Sequence, residues 1–246
     1  MLTPIAGLAL LIAVMVVALA EREGVKLSYF DLHAATVVFG GVIGSLLLAI
    51  DRSSLWQMLV SLRELFPSSS FFTHQMRKTQ VGLRGMSAAW REGRRAEVLK
   101  IADNGATEEL RVAADALLRQ LTGHNLTERF ASLRTKYMNQ LAPVIEGWEI
   151  VSKLAPSFGM VGTVTGMVQL FKNMGENSGN LGGAMAMALL ATLYGISLGA
   201  AVGGPMAARV ASQLNERLAH IDLLEKTVAA LVEEQRKLSE LGEVNA

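Results

Sequence analysis

The sequence contains no cysteine, which excludes disulfide frameworks, thiolate metal sites and cysteine nucleophiles together. It is also poor in charge. Only 18% of its 246 residues are charged, against 51% apolar, a balance that points to a membrane protein before a soluble domain. A net charge of +1 gives no global electrostatic case for binding nucleic acid. The four histidines, His33, His74, His124 and His220, lack the H-E-x-x-H spacing that sets two ligands on one helix face, so neither a metal centre nor another cofactor is expected. An enzyme is not expected either, because no histidine stands beside the hydroxyls of the later apolar stretches to act as a base.

What is present is length without charge. A bilayer core about 30 Å thick needs roughly 20 mainly apolar residues in helix. Four stretches qualify: Ile5 to Ala20, extended by Met1 to Pro4; Leu32 to Ile50; Leu154 to Phe171; and Gly183 to about Ala207. Before the last, Asn177-Ser178-Gly179-Asn180 reads as a turn, and Pro205 is expected to kink the end of the span. Ala18-Leu19-Ala20 also has the form of a signal-cleavage site, but Met1-Leu2-Thr3-Pro4 lacks the basic residues of a signal peptide.

Lys and Arg placement orients these spans, because short loops rich in them stay cytoplasmic. Of 23 such residues, 15 lie from Arg52 to Lys153 and five after Ala208. Both termini are therefore expected inside, with Glu21 to Phe30 and Asn173 to Gly182 on the far side. The expected architecture is all-α and polytopic. Residues 1–50 form spans one and two, 51–146 a cytoplasmic helical domain, 147–208 spans three and four, and 209–246 a cytoplasmic C-terminal helix.

Within the insertion, Leu110, Ala113, Ala114, Leu117, Leu118 and Leu121 form the i, i+3, i+4 stripe of an amphipathic helix that must pack on something. The tail repeats the pattern through Leu214, Leu218, Ile221, Leu224, Val228, Leu231 and Leu238, either as a charged helix continuing into water or as a subunit contact. Arg91 to Glu97 concentrates both signs of charge in seven residues, which is a solvated face unless a partner buries it.

The later spans carry small residues at helical spacing. Gly159, Gly162 and Gly166 line one; Gly195, Gly199 and Gly203, continued by Ala184, Ala188 and Thr192, line the other. Such faces let helix backbones approach closely in lipid, and packing alone would account for them. Pro156 removes a backbone donor and frees a carbonyl. The cores of all four spans lack Asp, Glu, Lys and Arg, the usual ion carriers. Thr163, Thr165, Thr192 and Ser197 offer hydroxyls for a wet path or an ion, and a partner would have to bring a carboxylate.

The run from Ala155 to Thr163, the Gly-His-Asn at 123–125, the Ala-Leu-Leu-Ala-Thr-Leu-Tyr-Gly at 188–195 and Pro205 together resemble the MotA/PomA flagellar stator family. The resemblance implies five copies around two copies of a single-span MotB-type partner, whose aspartate binds the ion and whose periplasmic domain grips peptidoglycan. It implies that Thr163 and Thr192 face the ion path, that Pro156 and Pro205 take part in conformational coupling, and that a proton, less readily sodium, is the ion, since sodium-driven relatives often carry a threonine where Ala191 stands. It further implies contact with the rotor protein FliG. The nearest equivalents of the contacting charges are Arg91 and Glu97, about one residue out of register, with Arg94 and Arg95 unmatched. A TolQ/ExbB-type subunit energising envelope transport is the nearest alternative, although such proteins typically have one span before the insertion; a purely structural scaffold is a further one.

Overall fold

The computed structural model describes residues 31–62, 71–103, 107–173 and 181–244. Every regular element among them is helical. In chain order these are α1 (Leu32–Ala49), α2 (Arg52–Ser61), α3 (Phe71–Arg91), α4 (Arg95–Asp103), α5 (Glu108–Leu118), α6 (Gly123–Asn173), α7 (Leu181–Ile196), a π-helical segment (Ser197–Gly203) and α8 (Gly204–Val244). Among the described residues, three helices are long and apolar enough to cross a membrane: α1, a window within α6, and one that begins in α7. The expected first span and the turn at 177–180 lie outside the described residues.

Local chemistry sets the boundaries. Asp31 starts α1 by accepting the His33 and Ala34 amide protons on Oδ1, at 2.8 and 3.1 Å, which satisfies donors that a helix start leaves unpaired. Gly93 ends α3 in the left-handed region at φ +73°, and the Arg94 and Gly93 amides fold back onto the Ala89 and Trp90 carbonyls. That 6→1, 5→2 pairing is a Schellman cap, which glycine enters without a Cβ penalty. The same pairing closes α5, where Gln120 holds φ +51°.

The chain divides into two compact units, with α6 and α8 contributing residues to both. In the first, residues 31–62, 140–173 and 181–211 build two clusters. Val42, Met58, Val144, Trp148, Val151, Ala155, Met206 and Val210 form one; Ala34 and Val38 of α1 with Met187, Leu190 and Ala191 of α7 form the other. Trp148 Nε1 donates to Ser61 Oγ at 3.0 Å, fastening α2 to α6. Outward faces stay apolar, with Phe39, Ile43, Leu47, Val161, Val164, Val168, Met185 and Leu189 all exposed. Exposed apolar side chains on long uncharged helices suit lipid or another helix, not water.

In the second unit, residues 71–103, 107–139 and 212–244 pack as a helical bundle. The stripe on α5 is buried at Leu110, Ala113, Ala114 and Leu117. Leu214, Ile221, Leu224, Val228 and Leu231 of α8 are buried too, whereas Leu238 is exposed. Arg134 joins α6 to α8 through Asp222 and Glu225. Burial opposes its charge, and hydrogen bonds and attraction to the two carboxylates outweigh that cost, so its pKa is raised.

Candidate functional site

The third-span part of α6 and the helix running from α7 through the π segment pack antiparallel, backbone against backbone. The glycines make this possible. A Cβ on Gly166 would lie 2.7 Å from Ala188 Cβ, one on Gly162 would run into Ala191 Cβ, and one on Gly159 would lie 3.0 Å from the Ala191 carbonyl oxygen. From the other helix, a Cβ on Gly195 would strike the Ala155 carbonyl oxygen, and one on Gly203 would lie 2.6 Å from the Ser152 nitrogen. These obstacles are largely backbone or Cβ atoms, which have no rotamer by which to yield.

Pro156 and Gly199 form a matched pair within this seam. Proline at 156 has no N–H, so the Ser152 carbonyl one turn earlier loses its usual donor. That oxygen points at Gly199, where an added Cβ would lie 2.8 Å from it and 2.8 Å from Pro156 Cδ. The sequence marked both positions but not Ser152, which has no distinguishing neighbours in the linear pattern. Gly41 and Phe158 were also missed: the phenyl ring occupies the space a side chain at 41 would take, fitting α1 against α6.

The π segment keeps the glycine stripe aligned. Residues four apart overshoot one turn of an α-helix, at 3.6 residues per turn, and fall short of one turn where bonds run i→i+5. A stretch of each keeps Gly195, Gly199 and Gly203 on the α6 side, and the Gly204 amide donates to the Gly199 carbonyl in that wider pattern. Pro205 does not end the helix. It follows the π segment within one unbroken helix, and its missing N–H leaves the Ala201 carbonyl without the donor that α geometry would give it.

Thr163 and Thr192 lie on the same two helices and are half-buried, while Thr165 is exposed. Thr163 Oγ1 donates to its own helix at Met160 O, at 2.6 Å. With its proton committed there, the hydroxyl presents lone pairs to a visitor, so it accepts from a protonated carboxyl or coordinates a cation. The Thr192 bond to Ala188 O is longer, 3.4 Å, and leaves that hydroxyl freer to turn. Thr192 Cα also lies against Gly159. Ala191 is 0% exposed and belongs to the packed seam.

The charged residues 91–97 lie in the second unit, around the α3–α4 turn. Arg94 engages Glu92 and Glu97, Arg91 Nε lies 3.2 Å from Glu234 of α8, and the Arg95 guanidinium sits 5.7 Å from the Trp90 ring centre. Glu97 occupies the first turn of α4, where negative charge is favoured. All these ion pairs are solvent-exposed, so exchanging them for a partner's charges costs little. No group of His, Asp and Glu suited to a metal ion occurs among the described residues.

Comparison with known proteins bears on this arrangement. Residues 100–222, half of the chain, match the family described as the MotA/TolQ/ExbB proton channel family. No curated protein sequence matches the chain significantly. Among solved structures, the fold is similar to that of the Campylobacter jejuni MotAB structure, with a TM-score of 0.78 and 17% identity over 94% of this chain and 89% of that one. It is also similar to the flagellar MotAB stator complex of Bacillus subtilis, with a TM-score of 0.65 and 19% identity over 93% and 89% of the two chains.

Proposed function

We propose, from the premise that this chain belongs to the MotA/TolQ/ExbB proton channel family, that it is the ion-conducting subunit of a flagellar stator, coupling inward proton flow to torque on the rotor. The observation that carries the reading is the α6–α7 seam. It holds two spans in contact through glycine and sets the Thr163 and Thr192 hydroxyls on a pair of helices without an ionisable carboxylate or amine in their spans. No Asp, Glu, Lys or Arg lies from 154 to 171 or from 181 to 208, so the titrating group must come from elsewhere. A MotB-type single-span partner with an aspartate supplies it in this reading, and likeness to two MotAB structures supports the choice over an envelope-transport subunit.

In the mechanism that follows, Thr163 and Thr192 face the partner carboxyl. When protonated, that carboxyl donates to a threonine lone pair; when ionised, it needs donors that a self-bonded Thr163 does not provide. Loading and unloading the proton therefore changes which face of the ring of copies the partner prefers, and alternation of those preferences drives rotation. Pro156, paired with Gly199 in the glycine seam, and Pro205, just past Gly203 toward the same end, are the coupling elements, with Gly159, Gly162, Gly166, Gly195 and Gly199 as the packing surface they act through. Ala191 belongs to the proton reading: an alanine packed against Gly162 gives no oxygen ligand to a dehydrated sodium ion.

The proposed assembly is a homopentamer around the partner, in the bacterial inner membrane, with four spans and both termini cytoplasmic. Residues 1–50 and 147–208 then lie in the membrane, and 51–146 and 209–246 on its inner side. The second unit presents Arg91, Arg94, Arg95 and Glu97 to FliG.

Swimming speed in stator-deleted cells given this chain and its cognate partner tests the reading, in matched sodium and potassium buffers. Swimming is expected to persist without sodium and to collapse with a protonophore. Swimming only with sodium would overturn the proton assignment and its Ala191 argument. Absence of swimming in both buffers, with the complex assembled, would remove the stator reading in favour of envelope transport.

A further inference from the structure

Inside the second unit lies a cluster that the proposed function does not use. Glu109, in the first turn of α5, is only 8% exposed. Tyr137 of α6 donates to its Oε1 at 2.5 Å, while its Oε2 is buried with no hydrogen-bond partner among the described residues. His220 of α8 has a matching defect: its Nε2 is also buried and unpartnered among them. The charge of Glu109 acts on this imidazole. The Arg217 guanidinium lies over the Tyr137 ring, 4.9 Å from its centre.

The groups around His220 therefore come from three helices. Glu109 approaches from α5, with Glu108 beside it bonded to Lys136 at 2.6 Å; Tyr137 comes from α6; Arg217 precedes His220 by three residues on α8. Arg134 of α6 is engaged with Asp222 and Glu225, further along α8. Just past His220 on α8, Ile221 and Leu224 are buried. A neutral imidazole fits such a junction, and a charged one must be paired or exposed.

We propose that this junction is an acid-sensitive latch, in which protonation of His220 loosens α8 from α5 and α6. Burial pushes the imidazole below its ordinary value of 6.5, and attraction to Glu109 offsets that only in part. The opened form, with an ordinary imidazole, thus takes up the proton first. Stability present above about pH 6.5 is lost as pH falls through that value towards the lower folded one. Each unit of depression shifts the latch equilibrium about tenfold. That the latch would meet cytoplasmic pH, and so pass an acid load to the rotor-facing unit, rests on the stator reading; the latch itself does not.

The test uses the full chain in detergent micelles, with amide hydrogen exchange measured at pH 7.5 and 5.5 and corrected for intrinsic rates. Amides in α5 and in the 217–228 stretch of α8 are expected to lose protection in acid, by a factor that cannot exceed about tenfold one pH unit below 6.5. His220→Gln, which stays neutral, should keep it. Unchanged protection in the unsubstituted chain, or the same loss in His220→Gln, would overturn the proposal. Because a substitution at a packed site can unfold the unit, the imidazole is also titrated by NMR in the unsubstituted chain. A His220 midpoint below 6.5 is expected, and one at or above 6.5 refutes the latch. Neither readout involves a motor, so failure of the stator reading leaves both standing.

Discussion

At the level of single residues, glycine in this chain does two different jobs. Gly195 is required by contact, since a Cβ there meets the backbone oxygen of Ala155, whereas Gly44 on α1 has nothing within 4 Å. Gly195→Ala should therefore destabilise the span pair by about 1–3 kcal/mol, the usual cost of overpacking, and lower the melting temperature of the purified chain. Gly44→Ala should leave it unchanged or raise it slightly, since alanine favours helix over glycine by up to about 1 kcal/mol. Equal melting of the two variants would contradict the close packing described here. The small-residue spacing was legible in the sequence, but not which glycine meets what. The Ser152 carbonyl, freed by Pro156 and received by Gly199, comes into view only when two distant segments lie side by side. Hydroxyl direction was equally hidden: the sequence shows a threonine at 163, and only geometry shows its proton committed to Met160.

At the level of elements, the helical periodicities of α5 and α8 were readable because burial follows the apolar stripe. It fails at Leu238, near the end of α8, which is exposed. The π segment had no such signal. It arises where Gly199 and Gly203 must both meet α6 just before Pro205, a compromise between helix register and contact that no linear pattern announces. Pro205→Ala restores an N–H that α geometry would direct to the Ala201 carbonyl. The 197–203 segment is then expected to tighten towards α-helix, turning Gly203 away from Ser152. Slower amide exchange at 201–205 and weaker motility are the expected results. Unaltered exchange would mean that proline plays no part in maintaining the wider turn.

For the whole molecule, composition and charge distribution conveyed the helical class and the uncharged spans, while partner, copy number and ion lie outside what one chain's side chains can state. The absent carboxylate makes a direct prediction. Cells overproducing this chain alone should keep their membrane potential, read with a voltage-sensitive dye, and co-production with the partner should lower it when the assembly is open. Depolarisation by the chain alone would show that its threonines suffice to conduct. On the stator reading, a seam of glycine and self-bonded hydroxyls is insulation until another protein arrives. On the same reading the cell can stockpile such a subunit without draining its energy supply, and the dosage of the partner decides how many conduits exist.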